Sequence, residues 1–243
     1  MFKHKGKSRT YIHNLRLASI LSFVAGIVNI IGVLSVKTLT TIVTGHFAYF
    51  SEELSNKNYQ TAVVYLLFIL SFLVGAFVSN LLIEIFSRIK PTISYVVPMV
   101  IEIIILSAVG IFGSTSAVLD INGQIIACTL LFAMGLQNAL VTKASQSVVR
   151  TTHLTGLFTD LGIELSQLFF YRKTIEIQQL SKNMFLKLAI IGCFFFGCIA
   201  GGVLFRTYEL KTLLLASIFL IIALCYDNIL FHYYHFKRKI QSW

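Results

Sequence analysis

The stretch Thr40-Thr41-Ile42-Val43-Thr44-Gly45-His46-Phe47 returns later in the chain as Thr151-Thr152-His153-Leu154-Thr155-Gly156-Leu157-Phe158, with five of the eight positions identical. Neither copy stands alone. Upstream, Gly26-Ile27-Val28-Asn29 is answered by Gly135-Leu136-Gln137-Asn138. Downstream come acids, Glu52 and Glu53 after the first copy, Asp160 and Glu164 after the second. Further on, Phe72-x-x-Gly75 is echoed by Phe194-x-x-Gly197. The order is the same in both halves, which reads as an internal repeat.

What repeats is apolar. The 243 residues are 56% hydrophobic and only 12% charged, with a mean hydropathy of +0.81. A soluble domain carries about a quarter charged residues. Leu, Ile, Val and Phe run in stretches of about 20 residues, enough to cross a hydrocarbon core. Spans are expected near 15–36, 60–84, 93–112, 124–142, 184–205 and 212–231. Each half is then a span, a T-G segment and two further spans. An odd number of crossings turns the second half upside down relative to the first. The expected fold is an all-α integral membrane bundle of about six transmembrane helices. It is built from two inverted three-helix repeats, each with an extra short T-G helix. The repeats would occupy 15–115 and 121–231, between basic cytoplasmic tails at 1–14 and 232–243.

Charge gives an independent test. With both termini cytoplasmic, sixteen of the twenty Lys and Arg lie inside, and only Lys37, Lys57, Arg206 and Lys211 lie outside. That bias fixes a multi-pass cell-membrane topology. The basic start, Met1 to Arg16, precedes an apolar run without a clear small-residue cleavage site, so the run is expected to be kept as the first helix. The net charge of +10 suits anionic lipid headgroups. It does not suit nucleic acid, since no basic face with interleaved aromatics exists outside the apolar runs. Cys128, Cys193, Cys198 and Cys225 all fall inside apolar runs without C-x-x-C spacing, as small buried hydrophobes do.

Met134-Gly135-Leu136-Gln137-Asn138-Ala139 followed by Arg150-Thr151-Thr152-x-Leu154-Thr155-Gly156, with the Gly-x-x-Asn of the first span, resembles the YoaK-like family of uncharacterised bacterial membrane proteins. The similarity runs over about residues 15–231. It implies a multi-pass membrane fold rather than a particular activity. That family commonly has an acid where this chain has Asn29, and Asn after the first T-G where this chain has His46. A proton or cation carried by such an acid could not be carried by Asn29 in the same way.

Candidate site residues follow from the repeat. Thr44-Gly45 and Thr155-Gly156 open short stretches, 45–55 and 156–170. The Thr is a good N-cap and the Gly admits a close backbone or ligand. Each stretch either dips into the membrane as a half-helix, its N-terminus favouring an anion, or lies amphipathically on the surface. Asn29, Gln137 and Asn138 are polar groups inside spans that need partners, either neighbouring helices or a solute. His46 lies in the motif, where it either bonds structurally or titrates. Glu102, inside the third span, and Asp160 are the proton-coupling candidates. Asp227 reads as interfacial near His232 and Lys237, and Glu84 as a membrane-edge group one turn from Arg88. Gly75-x-x-x-Ser79 and Gly197-x-x-x-Gly201 permit close helix contact, either between the halves or in a homodimer. Tyr226, Phe231 to Phe236 and Lys237-Arg238-Lys239 look like an interfacial anchor.

No nucleophile–base pair, metal motif or phosphate loop is present, and Gly113-Ser114-Thr115-Ser116 lacks a base, so no enzyme and no cofactor are expected. Inverted repeats with polar groups at matched midspan positions are the plan of small secondary transporters. The expected function is a transporter or permease for a small solute, an anion if the helix N-termini face it. The alternative is a structural or channel-like membrane protein without coupled transport.

Overall fold

A computed structural model of the chain describes residues 11–113, 120–146, 149–170 and 174–225. The turn at Ser114 to Ser116, most of the N-terminal basic tail, the whole C-terminal basic tail, and Tyr226, Asp227, His232 and the C-terminal aromatic anchor lie outside the described residues.

Every described element is helical. The long helices are α1 (Tyr11–Val36), α3 (Tyr59–Ile89), α4 (Val96–Phe112), α5 (Ile121–Ser145) and α7 (Thr174–Tyr208). Two short helices, α2 (Thr44–Ser55) and α6 (Leu154–Gln167), follow α1 and α5. A last helix, α8, covers 213–225. By length and hydropathy, four stretches qualify as membrane spans: Asn14–Val36, Tyr59–Ile89, Ile121–Ser145 and Glu176–Cys225, with α4 as a shorter apolar helix. The chain is therefore a multi-pass membrane protein. The described helices start and end within about five residues of the expected spans, except that α7 begins about ten residues earlier, just before the polar run Glu176 to Asn183, and that the expected end of the sixth span lies outside the described residues.

Local chemistry sets the breaks. Pro91 cannot donate to the α3 ladder and disfavours helix at Lys90, which ends α3 in an extended conformation. The 50-residue stretch from Glu176 would be about 75 Å long as one helix, far beyond a bilayer core. It is interrupted by a 3-10 turn, Glu209–Thr212, with Glu209 at φ 47°. The chain folds back there. The Phe219 ring packs on Phe23 at 4.8 Å, and a Cβ placed on Gly197 would stand 2.2 Å from the Phe23 carbonyl oxygen. A straight helix would hold residues 197 and 219 about 33 Å apart.

Packing follows two pairings. α1 lies along α7 and α3 lies along α5, with α1 touching α5 between them. Both pairs run parallel. Along α1 and α7, Phe23 meets Gly197 and Ile30 meets Gly201 and Gly202. Along α3 and α5, Gly75 meets Phe132 and Glu84 meets Lys143. α4 runs antiparallel to the fold-back: Gly110 approaches Leu210, while Ser107 donates to the Ser217 hydroxyl at 3.1 Å. In their most apolar stretches α1 and α5 are mostly buried, whereas only about a quarter of the corresponding stretches of α3 and of 176–225 is buried. Many of the exposed side chains there are apolar, among them Leu73, Phe77, Phe195, Phe196 and Val203. An apolar girdle this large suits lipid rather than water.

The small-residue stripes are consumed inside the chain. A Cβ on Gly26 would lie 2.1 Å from the Phe194 oxygen, and one on Gly135 would lie 2.2 Å from the Phe72 oxygen. Gly75 and Gly197 repeat the arrangement, each with a Cβ 2.2 Å from a carbonyl oxygen, of Phe132 and of Phe23. Of the two uses open to these stripes, the helices of one chain take the first, joining α3 to α5 and α1 to α7.

Candidate functional site

Both T-G segments begin with a loop that turns back along the helix before it. α1 ends at Val36, and Lys37 takes the left-handed conformation, φ 53°. The Thr38 N–H then donates to the Gly32 carbonyl at 3.1 Å, which occupies one of the last carbonyls of α1. The Thr40 hydroxyl donates to the Val28 carbonyl at 3.3 Å, and the Thr41 hydroxyl donates to Asn29 Oδ1 at 2.9 Å. Asn29 lies two turns below the end of α1, about 10 Å along its axis. Glycine at 32 clears the passage, because a Cβ there would stand 2.4 Å from the Thr40 methyl. From that depth α2 climbs antiparallel to α3. His46 packs on Phe68 at 5.5 Å, and Tyr49 stacks on Tyr65 at 5.2 Å.

The second half repeats this with its own residues. α5 ends at Ser145, and Gln146 is left-handed at φ 55°. The Val149 N–H donates to the Ser145 hydroxyl at 3.0 Å. The Thr152 hydroxyl donates to Asn138 Oδ1 at 2.7 Å. α6 then climbs along α7, where Lys187 bonds Glu164 at 2.7 Å and stands 3.7 Å from Asp160. Lys37 and Gln146, Asn29 and Asn138, and Gly26 and Gly135 all share one sequence offset. Where the first half stacks Tyr49 on Tyr65, the corresponding residues of the second are Asp160 and Lys187.

The capping expectation is corrected. Thr44 is the first residue of α2, and Val43, already helical at φ −84° and ψ −30°, holds the cap position without a side-chain bond. In α6 the cap position is His153, again without a side-chain bond, and Thr155 lies inside the helix. α2 starts at the Thr of its T-G pair and α6 one residue before its own, so neither Thr occupies the cap position. Thr44 and Thr155 are exposed. Gly45 has open surroundings, its Cβ position 3.8 Å from Leu39, whereas a Cβ on Gly156 would stand 2.3 Å from the His153 ring. The residues that do hold the loops are Thr41 and Thr152, the second of each Thr-Thr pair, three positions before the T-G threonines. Their spacing gives no shared signal, since Thr41 follows Asn29 by twelve residues and Thr152 follows Asn138 by fourteen.

A cavity of about 910 Å³ opens between α3 and α5 beneath the second T-G loop. Its lining includes Asn80, Glu84, Asn138, Lys143, Arg150, Thr152 and His153. The Asn138–Thr152 hydrogen bond therefore borders it. Lys143 crosses from α5 to bond Glu84 of α3 at 2.8 Å. With Arg150 also exposed on the wall, the lining carries two cations against one carboxylate. This volume fits a small molecule.

The other candidates lie apart from it. Gln137 is buried and donates from Nε2 to the Leu21 carbonyl at 2.8 Å, tying α5 to α1, while its Oε1 has no partner. Asn29 and Gly45 belong to the α1 side. His46 is buried and its Nε2 meets the Leu39 carbonyl at 2.8 Å, with Nδ1 unpartnered. Burial pushes its imidazole below the usual range, and the Leu39 carbonyl opposes only part of that. Glu102 is 1% exposed with Oε1 unpartnered, well inside α4. Asp160 is exposed beside Lys187. Among the described residues no group of three His, Cys, Asp or Glu could hold a metal.

Residues 17–226 match the model of a family described as "Protein of unknown function (DUF1275)", and the chain belongs to that family. Neither the curated proteins nor the solved structures give a match.

Proposed function

We propose that this member of the family is a small secondary transporter or permease for a small anionic solute. In this reading the chain makes six crossings in two inverted halves, with both termini cytoplasmic and the α3–α5 cavity as the cytoplasmic entrance. The parallel course of α1 with α7, and of α3 with α5, supports inversion. Were both halves oriented alike, the first span of one and the second span of the other would run antiparallel. The cation bias supports the sidedness, since Arg88, Lys90, Lys143 and Arg150 gather at the cavity end while Lys37, Lys57, Arg206 and Lys211 belong to the other.

The observation that carries the proposal is the cavity itself. It is polar where it reaches the matched Asn–Thr pair, net positive along its wall, and set between two helices held together by glycine contacts. A membrane protein keeps exposed polar backbone and side chains at depth only where they are buried in protein or line an aqueous path. Cations on the wall draw anions in, and Arg150 offers a planar fork for a carboxylate or phosphate group. Glu102, buried and unpartnered, is the group by which a proton could accompany the solute.

The test is a panel of small anions, from phosphate and sulfate to short carboxylates, added to purified protein in lipid nanodiscs. Thermal stabilisation by at least one, and its uptake into proteoliposomes, is expected. Arg150→Gln and Thr152→Val should each weaken both by about tenfold, the scale of one lost charge-assisted or structural hydrogen bond. Full uptake by both variants would remove the cavity from the path.

A further inference from the structure

The two helix pairs share their glycine contacts but differ at one end. On the α3–α5 side, Ala139 and Asn80 line the open cavity. The corresponding residues on the α1–α7 side are Ile30 and Gly202. There the lip is closed. Ile30 wedges into α7 so tightly that a Cβ on Gly201 would stand 2.7 Å from its Cγ2, and one on Gly202 would stand 3.5 Å from its Cγ1. The bulky residue and its glycine slot on one side replace a small residue and a polar one on the other.

We infer that the α1–α7 interface opens, at the opposite face, into a second vestibule for the same anion when the α3–α5 cavity closes. The inference rests on the transport reading above and adds the residues of the state not seen. Carrying the cavity lining across the repeat places Asn29 and Thr41 where Asn138 and Thr152 stand, Cys198 where Ala76 stands, and Arg206 where Glu84 stands. Lys37 takes the place of Gln146, and Glu209 that of Ser87. The charges are redistributed, yet the balance is kept: Lys37 and Arg206 against Glu209, as Lys143 and Arg150 stand against Glu84. The Asn29–Thr41 bond already matches the Asn138–Thr152 bond in length, 2.9 Å against 2.7 Å. Each vestibule thus ends at the same polar pair under a net positive wall. An anion meets equivalent ground from either face, which is the symmetry that alternating access needs.

Cys198 is a native reporter for the closed lip, its Sγ now held 3.3 Å from the Gly26 carbonyl. The experiment uses the full chain with Cys128, Cys193 and Cys225 changed to Ser, in sealed vesicles of known orientation. The probe is an anionic, membrane-impermeant methanethiosulfonate applied to the Lys37 face. Labelling of Cys198 is expected, and Ile30→Ala should accelerate it severalfold. Adding Ala76→Cys and blocking it first from the other face with a bulky maleimide should slow Cys198 labelling at least tenfold. No labelling of Cys198 in either the parent or the Ile30→Ala variant would overturn the second vestibule. Labelling undiminished by the Ala76→Cys block would overturn alternation and indicate a continuous pore. Failure of the anion reading would register separately, as Ala76→Cys labelling that saturating phosphate, sulfate or short carboxylates leave unchanged.

Discussion

Gly135→Ala tests the helix pairing at one of its four tightest points. The new methyl carbon would stand 2.2 Å from the Phe72 carbonyl oxygen and 3.0 Å from the Ala76 nitrogen. A carbon and an oxygen need about 3.2 Å, so α3 and α5 must part by about 1 Å, and neither atom belongs to a side chain that can swing away. Overpacking of this kind costs about 1–3 kcal/mol, while replacing glycine in a helix returns up to about 1 kcal/mol. With the full helical gain the net loss is therefore about 0–2 kcal/mol. Gly192→Ala and Gly162→Ala are the controls, because nothing lies within 4 Å of a Cβ at either position. They keep the helical gain and lose nothing. The helical gain is common to both classes, so they should differ by the overpacking cost of about 1–3 kcal/mol, or roughly 2–12 °C in Tm for a chain of this size. The assay is heating of detergent-solubilised protein carrying a fluorescent fusion, followed by size-exclusion chromatography to read the surviving monodisperse fraction. Gly26→Ala, Gly75→Ala and Gly197→Ala should fall with Gly135→Ala. A Gly135→Ala protein melting within about 1 °C of Gly192→Ala would refute the backbone contact, since an uncrowded methyl cannot destabilise.

His46 has a folded-state value below that of the free imidazole, so the unfolded chain gains a proton first as pH falls. Stability is expected to be full above about pH 6.5 and to decline below it, and His46→Leu, which copies Leu157 of the other half, should flatten that decline in a series of melts by pH. Lys187→Met strands the mostly buried Glu164 carboxylate and should lower stability by about 1–3 kcal/mol, reduced from the fully buried case because both groups keep some solvent. Removing the stranded carboxylate as well, in Glu164→Leu with Lys187→Met, should recover most of that loss in the same chromatographic assay. Glu102→Gln should leave the melting temperature nearly unchanged but remove any proton dependence of uptake in proteoliposomes; uptake that keeps its full pH response would exclude Glu102 from coupling.

The helical spans were legible because each is an apolar run of membrane length closed by Pro91, Gly113 or a polar turn. The close-contact motifs at Gly75 and Gly197 were legible from their small-residue spacing, but not which helices they join, and Gly26 and Gly135 showed only as matched positions until their backbone contacts with Phe194 and Phe72 were seen. The short helices were legible as amphipathic stretches, but not the residues that anchor them. Thr44 and Thr155 look like caps in one dimension, yet the loops turn in through Thr41 and Thr152, a choice fixed by Asn29 and Asn138 on the preceding helix. Nor did the sequence mark the cavity wall. Arg150 and Lys143 count as topology signals in a charge tally, and only folding brings them beside Asn138. The wedge of Ile30 against Gly201 and Gly202 is equally invisible in a chain where almost every neighbour is apolar.

The most direct test of inverted halves is the sidedness of the two short helices. Single cysteines at Asn56, after α2, and at Gln167, at the end of α6, would be placed in a cysteine-free background in intact cells. A membrane-impermeant thiol reagent should label Asn56→Cys from outside and Gln167→Cys only after the membrane is opened. Labelling of both from the same side would contradict the inverted repeat, and with it the shared site between the halves.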